Sequence, residues 1–155
     1  MPKLDTLFKL EIRCESIPVL SVSPAPSDRA TLERLLPAPQ WIVYHADSVK
    51  CALTLLRQFQ PAPVVVCEQD LLPGAWQDML QRTASLRQPP SIIVASRLAD
   101  DCLWVEALNL GAYDVLAKPF DVAELIRSLS LAWLHSQRQR GVSDTLPKIV
   151  TAGAT

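Results

Sequence analysis

Three polar side chains follow short apolar runs, where a charge or a hydroxyl needs a partner. Glu68 follows PVVVC, Ser96 follows SIIVA, and Lys118 stands between DVLA and Pro119. A carboxylate and an ammonium group can form an ion pair, whose effect on stability grows with burial. A serine hydroxyl can act as a nucleophile only beside a base. What these groups do depends on whether the fold brings the ends of the three runs together.

The apolar runs are typical of strands in a parallel sheet. They are short, rich in Val or Ile and not strictly alternating, as expected of strands covered on both faces. The segments between them carry apolar residues at helical spacing, and parallel strands require such crossovers. We therefore predict an α/β fold of five strand–helix units, with functional residues at the carboxyl ends of the strands. The predicted strands are VLSV (19–22), WIVYHA (41–46), PVVVC (63–67), SIIVA (91–95) and DVLA (114–117).

Several residues mark the ends of the predicted helices. Ser27 is the expected N-cap of the first helix, and the acids of ADD (99–101) suit the start of the fourth. Gly111 is a natural residue to follow the fourth helix. Asp121 and Glu124 resemble a capping box at the start of the fifth. The fifth helix should then bury a stripe formed by Val122, Leu125, Ile126, Leu129 and Trp133.

Composition and charge exclude several classes of function. The 155 residues fit one domain, and 49% hydrophobic with 20% charged residues allows a real core. A net charge of −1 indicates no excess of positive charge for binding nucleic acid or anionic lipid. No apolar run approaches the roughly 20 residues of a membrane span, and the start of the chain lacks a signal-peptide block. Four scattered cysteines without C-x-x-C spacing favour reduced thiols in the cytoplasm.

No pattern of catalytic residues is present in the sequence. The four glycines form neither a G-x-G-x-x-G nor a Walker-type loop, so a nucleotide site is not expected. His45 and His135 belong to no recognised nucleophile pattern, and Ser96 has no visible base. We therefore predict no catalytic residue.

The order of these units and the residues at their ends resemble the receiver domain of the bacterial two-component response regulators. The strongest part is IIVASRLADDCLWVEALNLGAYDVLAKPFDVAELIRSL, and VLSVSPAPSDRATLERLL is similar to the first strand and helix of that family. The resemblance implies a three-layer, flavodoxin-like (βα)5 fold with strand order 2-1-3-4-5. It covers a receiver-like domain at 17–135, between an N-terminal extension at 1–16 and a tail at 136–155.

The two flanking segments leave two alternatives open. LFKLEIRCE and KIVT are apolar enough to add terminal strands that pair with each other or with a second subunit. Loosely ordered termini are the other alternative. The tail after residue 135 is too short for a DNA-reading output domain, so we expect no nucleic-acid partner.

Some of the family's functional residues are matched in this sequence. Lys118 matches the lysine and Ser96 the hydroxyl residue that hold the phosphoryl oxygens in the family. The resemblance also implies a cis peptide bond between Lys118 and Pro119.

The acidic residues of the family are not matched. Ser23 and Pro24 stand where the family has the acidic pair that binds Mg²⁺, and neither is a good ligand for a hard cation. Glu68 aligns with the phosphoacceptor aspartate, and a shift of one residue would place Gln69 there. Val115 replaces the switch aromatic. We therefore expect a degenerate receiver that binds no Mg²⁺ and is not phosphorylated in the usual way.

Two hypotheses about the missing aspartate follow. In the first, Glu68 forms a permanent ion pair with Lys118 that partly imitates the phosphorylated state. In the second, the chain is an atypical phospho-accepting response regulator that uses another acid, such as Asp70 or Asp47.

The resemblance also implies that the chain acts through protein contacts. The expected partners are a sensor kinase, a downstream output protein or a second copy of the chain. The candidate interface residues lie around the fourth helix and fifth strand, and Trp104 is the one expected to face outward. They are Trp104, Leu108 and Tyr113.

Overall fold

The computed structural model describes residues 16–58, 63–69 and 74–154, and for 140–154 it describes the backbone alone. Within these ranges the chain forms five strands and five helices that alternate along the sequence. The strands are β1 (Ile17–Val22), β2 (Trp41–Ala46), β3 (Val64–Glu68), β4 (Ile92–Ser96) and β5 (Asp114–Ala117). The helices are α1 (Pro26–Leu35), α2 (Val49–Gln58), α3 (Ala75–Ala84), α4 (Asp101–Asn109) and α5 (Val122–Ala154).

All five strands are parallel and lie in the order β2-β1-β3-β4-β5. This confirms the predicted flavodoxin-like (βα)5 fold. The register aligns the strand ends, because Glu68 pairs with Ala95 and Ser96 pairs with Ala117. Polar residues at the ends of different strands therefore meet along one edge of the sheet, here called the carboxyl edge.

The core has two parts, one on each face of the sheet. Successive residues of a strand point to opposite faces, and Val65 and Cys67 of β3 accordingly pack on one side while Val64 and Val66 pack on the other. Every residue of β3 and β4 is buried. This burial on both faces explains why their sequences read as continuous apolar runs.

Most of the predicted helix ends are confirmed. Asp100 is the N-cap of α4 and accepts a hydrogen bond from the Leu103 N–H at 2.8 Å. Gly111 follows α4 with a φ of +105°, which is accessible mainly to glycine. Asp121 accepts a hydrogen bond from the Glu124 N–H, which is one half of a capping box.

The prediction that Ser27 caps α1 is wrong. The helix begins two residues earlier, with Ala25 at the N-cap position and Pro26 in the first turn. Proline suits this place because its ring fixes a helical φ and its missing N–H would have had no partner in the helix. Ser27 consequently lies inside the helix.

The last helix is longer than expected and its buried stripe is shorter. Leu125, Leu129 and Trp133 are buried, but Val122 is 43% exposed because it lies at the very start of the helix. Helix α5 continues to Ala154. The prediction that KIVT forms a terminal strand is therefore wrong. The stretch LFKLEIRCE lies outside the described residues. In the part of the chain that the structure describes, no helix is both long and apolar enough to cross a membrane.

Candidate functional site

The carboxyl edge collects residues from four of the five strands. Ser23 follows β1, Glu68 ends β3, Ser96 ends β4 and Lys118 follows β5. Strands β3 and β5 are separated by β4, so the side chains of Glu68 and Lys118 must bridge about 10 Å of sheet to meet. The structure brings them together.

Lys118 forms ion pairs with two carboxylates at once. Its Nζ donates a hydrogen bond to Glu68 Oε1 at 2.6 Å and another to Asp28 Oδ1 at 2.8 Å. The three side chains are largely withdrawn from water, with exposed fractions of 12% for Lys118, 5% for Glu68 and 19% for Asp28. We call these three residues the Lys118 cluster. The predicted ion pair with Glu68 is therefore present, and it has a second acidic member.

Asp28 is the site residue that the sequence did not reveal. It lies in the first turn of α1, where an acid is commonly explained by the helix dipole alone. The start of the helix at Pro26 turns Asp28 toward the carboxyl edge and the hydroxyl of Ser23, which donates a hydrogen bond to Asp28 Oδ2. Ser23 also accepts a hydrogen bond from the Ala25 N–H at 3.1 Å. The sequence did offer one indication of this role, because Asp28 is an acid that follows soon after the end of β1.

The hydroxyl of Ser96 is engaged by its neighbours in the same way. Ser96 Oγ donates a hydrogen bond to Gln69 Oε1 and accepts one from the Leu98 N–H at 2.9 Å. The backbone carbonyl of Ser96 accepts a hydrogen bond from the Lys118 N–H at 2.9 Å. Both residues considered for the phosphoacceptor position therefore lie at the site, with Glu68 on the lysine and Gln69 on the serine.

The peptide bond between Lys118 and Pro119 is cis, as the resemblance implied. Val115, at the aligned position of the family's switch aromatic, is buried in the core. Asp47 is exposed just after β2, whereas Asp70 lies outside the described residues.

The pKa values of Asp28 and Lys118 favour the charged forms. Burial alone would raise the pKa of Asp28, but hydrogen bonds from Lys118 and Ser23 and the charges of Lys118 and Arg97 outweigh it, so the pKa lies below its ordinary 3.8. Burial alone would lower the pKa of Lys118, but Asp28 and Glu68 raise it above its ordinary 10.5. Both shifts stabilise ionised groups, so Asp28 and Lys118 are charged at neutral pH.

The thiol next to the cluster is inert. Burial raises the pKa of Cys67 to about 12, and the charge of Glu68 adds to the effect. The thiol is therefore protonated at neutral pH, which fits the predicted packing role.

The three interface candidates differ in exposure. Trp104 is 49% exposed on α4, as predicted. Leu108 and Tyr113 are half-buried, and the Tyr113 ring lies against the ring of His135 with centroids 5.3 Å apart. Only Trp104 of the three presents a large free apolar surface.

The chain is similar to solved structures of response regulators. The signal receiver domain of an HD domain-containing protein from Pseudomonas fluorescens superposes with a TM-score of 0.71 at 24% identity, covering 81% of this chain and 93% of that one. A response regulator from Thermotoga maritima gives 0.68 at 19% identity, with 76% and 97% covered. The fold is that of a receiver domain.

A third structure agrees with these two. The chemotaxis response regulator CheY4 of Vibrio cholerae gives a TM-score of 0.65 at 18% identity, covering 75% of this chain and 98% of that one. No protein-family model and no curated protein matches the chain. At these identities the comparisons establish the fold, and the chemistry of the site has to be argued from its own residues.

We predict that Lys118→Met lowers the free energy of unfolding at neutral pH by about 3 kcal/mol or more, because it leaves Glu68 and Asp28 buried without a cation. Urea denaturation measures the change. Lys50→Met, at an exposed position on α2, is the matched control and should stay within about 0.5 kcal/mol. In a Glu68→Gln background the loss of Lys118 should cost less. Equal effects of Lys118→Met and Lys50→Met on the free energy of unfolding would contradict a stabilising role of the Lys118 cluster.

The second prediction concerns acid. Because the pKa of Asp28 is lower in the folded chain than its ordinary 3.8, the unfolded chain binds more protons as the pH falls. The stability that Asp28 contributes is therefore complete well above pH 3.8 and is lost as the pH falls through the folded pKa. Asp28→Asn should flatten the acid limb of a stability–pH curve, measured by denaturation at each pH, with Asp47→Asn as control. An unchanged limb would rule out this role.

Proposed function

We propose that this chain is a receiver-like module of a two-component-type signalling system that is not phosphorylated by the usual aspartate mechanism and acts through protein–protein contacts. The observation that carries the proposal is the Lys118 cluster. The lysine that would contact a phosphoryl group in the family resemblance is held by two carboxylates of the chain itself. Transfer of a phosphoryl group would have to displace at least one of them.

The charges at the carboxyl edge support this proposal. Glu68 and Asp28 together supply two negative charges, and Lys118 supplies one positive charge between them. A phosphorylated acid at this edge would need the ammonium group of Lys118 as a free hydrogen-bond donor. The charge of Lys118 is thus already neutralised by side chains of the chain itself, which is the permanent state proposed for the ion pair.

The donor groups at this edge do not fit a magnesium ion. Mg²⁺ prefers carboxylate and water oxygens in octahedral geometry. At the positions of the family's acidic pair, Ser23 gives its hydroxyl to Asp28, and Pro24 has no ligand atom. Within the described ranges, no group of three or more His, Cys, Asp or Glu side chains is arranged to hold a metal ion. We therefore include the lack of Mg²⁺ binding in the proposal.

The engaged hydroxyl of Ser96 also supports a fixed conformation. In the family resemblance this residue moves toward the phosphoryl group and couples it to the switch aromatic. Here Ser96 is held by Gln69 and by the Leu98 N–H, and Val115 offers no aromatic ring to move. We propose that the chain acts in the cytoplasm by binding a protein partner and catalyses no reaction.

The test of this proposal is incubation with acetyl phosphate and Mg²⁺ followed by intact-mass measurement. We expect no increase of one phosphoryl mass on this chain under conditions in which an ordinary receiver domain is labelled. The variant Ser23→Asp/Pro24→Asp/Glu68→Asp restores the acidic residues of the family and controls for access of the reagent. A stable adduct on the unchanged chain would overturn the proposal, and mapping it to Asp47 or Asp70 would establish the atypical phospho-acceptor.

The surface proposed for partner contact is the outward face of α4 and the loops beside it. Large apolar side chains are exposed there, and among them Trp104 has the largest side chain. Interface energy is commonly concentrated on such residues. We propose that a second copy of the chain or a signalling partner covers this face. The exposed apolar residues are Leu98, Trp104, Val105 and Leu110.

Self-association gives a direct test of this surface. Trp104→Ala should raise the dissociation constant of a dimer about 30-fold, because a central tryptophan typically contributes about 2 kcal/mol or more. Light scattering after size-exclusion chromatography over a concentration series measures the change. Ile42→Ala, a similarly exposed position on the opposite edge strand β2, is the control. A dimer that Trp104→Ala leaves unchanged would place the interface elsewhere.

A further inference from the structure

A cleft of about 630 Å³ runs along α1, beside the Lys118 cluster but mostly outside it. It is lined by the face of α1 that carries Thr31 and Leu35, by Phe120 before α5 and by Val122 at the start of α5. The volume lies within the range of roughly 300–1,000 Å³ that small-molecule sites occupy.

Two arginines stand at the two ends of this cleft. Arg97 lies close enough to Asp28 in the first turn of α1 to lower its pKa, and Arg34 lies in the last turn of the same helix. The six residues from Asp28 to Arg34 correspond to roughly 9 Å along the helix axis. The positive charges are therefore spread along the cleft.

The charge of Arg97 acts on Asp28 through space, but neither guanidinium is held by a direct contact. Among the residues that the structure describes, the side chains of Arg34 and Arg97 take part in no ion pair or hydrogen bond. Lys118 also lines the cleft, but its charge is taken by Asp28 and Glu68. The two arginines thus remain as forked donors suited to carboxylate or phosphate oxygens.

We propose that this cleft binds a small organic oxyanion, with an apolar body along the walls and anionic groups held by Arg34 and Arg97. Leu35, Phe120 and Val122 supply the apolar contacts, and the arginines supply the orientation. Carboxylate and phosphate oxygens present the same chemistry to a guanidinium, so the site is defined by the oxyanion. Asp28 and Lys118 also line the cleft, but the two groups proposed to hold the anion, Arg34 and Arg97, lie outside the Lys118 cluster.

The experiment uses two anionic probes and one cationic control. Suberate is a linear dicarboxylate with an apolar body, inorganic pyrophosphate tests the phosphate class, and 1,8-diaminooctane matches the length of suberate with the opposite charge. Binding to the full chain is followed by calorimetry and by ¹H–¹⁵N chemical-shift changes. We expect saturable binding of at least one anion, with shifts at Phe120 and its neighbours, and none with the diamine.

Substitution of the arginines connects the binding to the cleft. Arg34→Gln and Arg97→Gln should each weaken suberate or pyrophosphate about tenfold, the loss of one charge-assisted hydrogen bond. Arg57→Gln, an exposed arginine in the last turn of α2, should leave the affinity unchanged. The proposal is overturned if neither anion binds, if the diamine binds equally, or if both arginine variants bind as tightly as the parent. The anion that binds more tightly identifies the class of ligand.

Discussion

The ammonium group of Lys118 is the point at which three separate elements of this fold are held together. It extends from the end of β5 past the end of β4, and it meets one carboxylate from β3 and another from α1. A largely buried charge has to be neutralised and hydrogen-bonded, since its desolvation is costly. The positions of α1 and of the loop after β5 are therefore constrained by the same three charges. Removal of Lys118 leaves two carboxylates without a cation, whereas removal of one carboxylate leaves the other paired with the lysine.

The hydroxyl groups at the carboxyl edge are paired with polar side chains of the chain itself. Ser23 stands where a carboxylate would be expected, and its hydroxyl bonds to a carboxylate that comes from the neighbouring helix. Gln69 reaches the hydroxyl of Ser96 across the edge. Buried polar atoms in native proteins are nearly always paired. The hydroxyl groups of Ser23 and Ser96 are accordingly bonded to side chains that lie at the same edge.

Much of this architecture was predictable because it depends on local patterns. Runs of Val and Ile between helical segments indicated the strands, and their order along the chain brought Glu68 and Lys118 to one edge. Asp28 was not predictable in its role, because its partner lies ninety residues away and the direction of its side chain depends on where α1 begins. The assignment of Ser27 as the cap placed that start two residues too late, at Asp28 instead of Pro26. The continuation of α5 was not predicted because its segment is mostly polar, and a helix is recognised from apolar residues at helical spacing.

A charge cluster built from the chain's own side chains does not hydrolyse. An acyl phosphate decays, and its decay sets how long a signalling state lasts after the stimulus ends. The contacts among Lys118, Glu68 and Asp28 form when the chain folds and persist for as long as it stays folded. Under the proposed function, the strength of the signal would then follow the number of folded copies and the abundance of the partner. Synthesis and degradation of the chain would provide the timing that hydrolysis provides elsewhere.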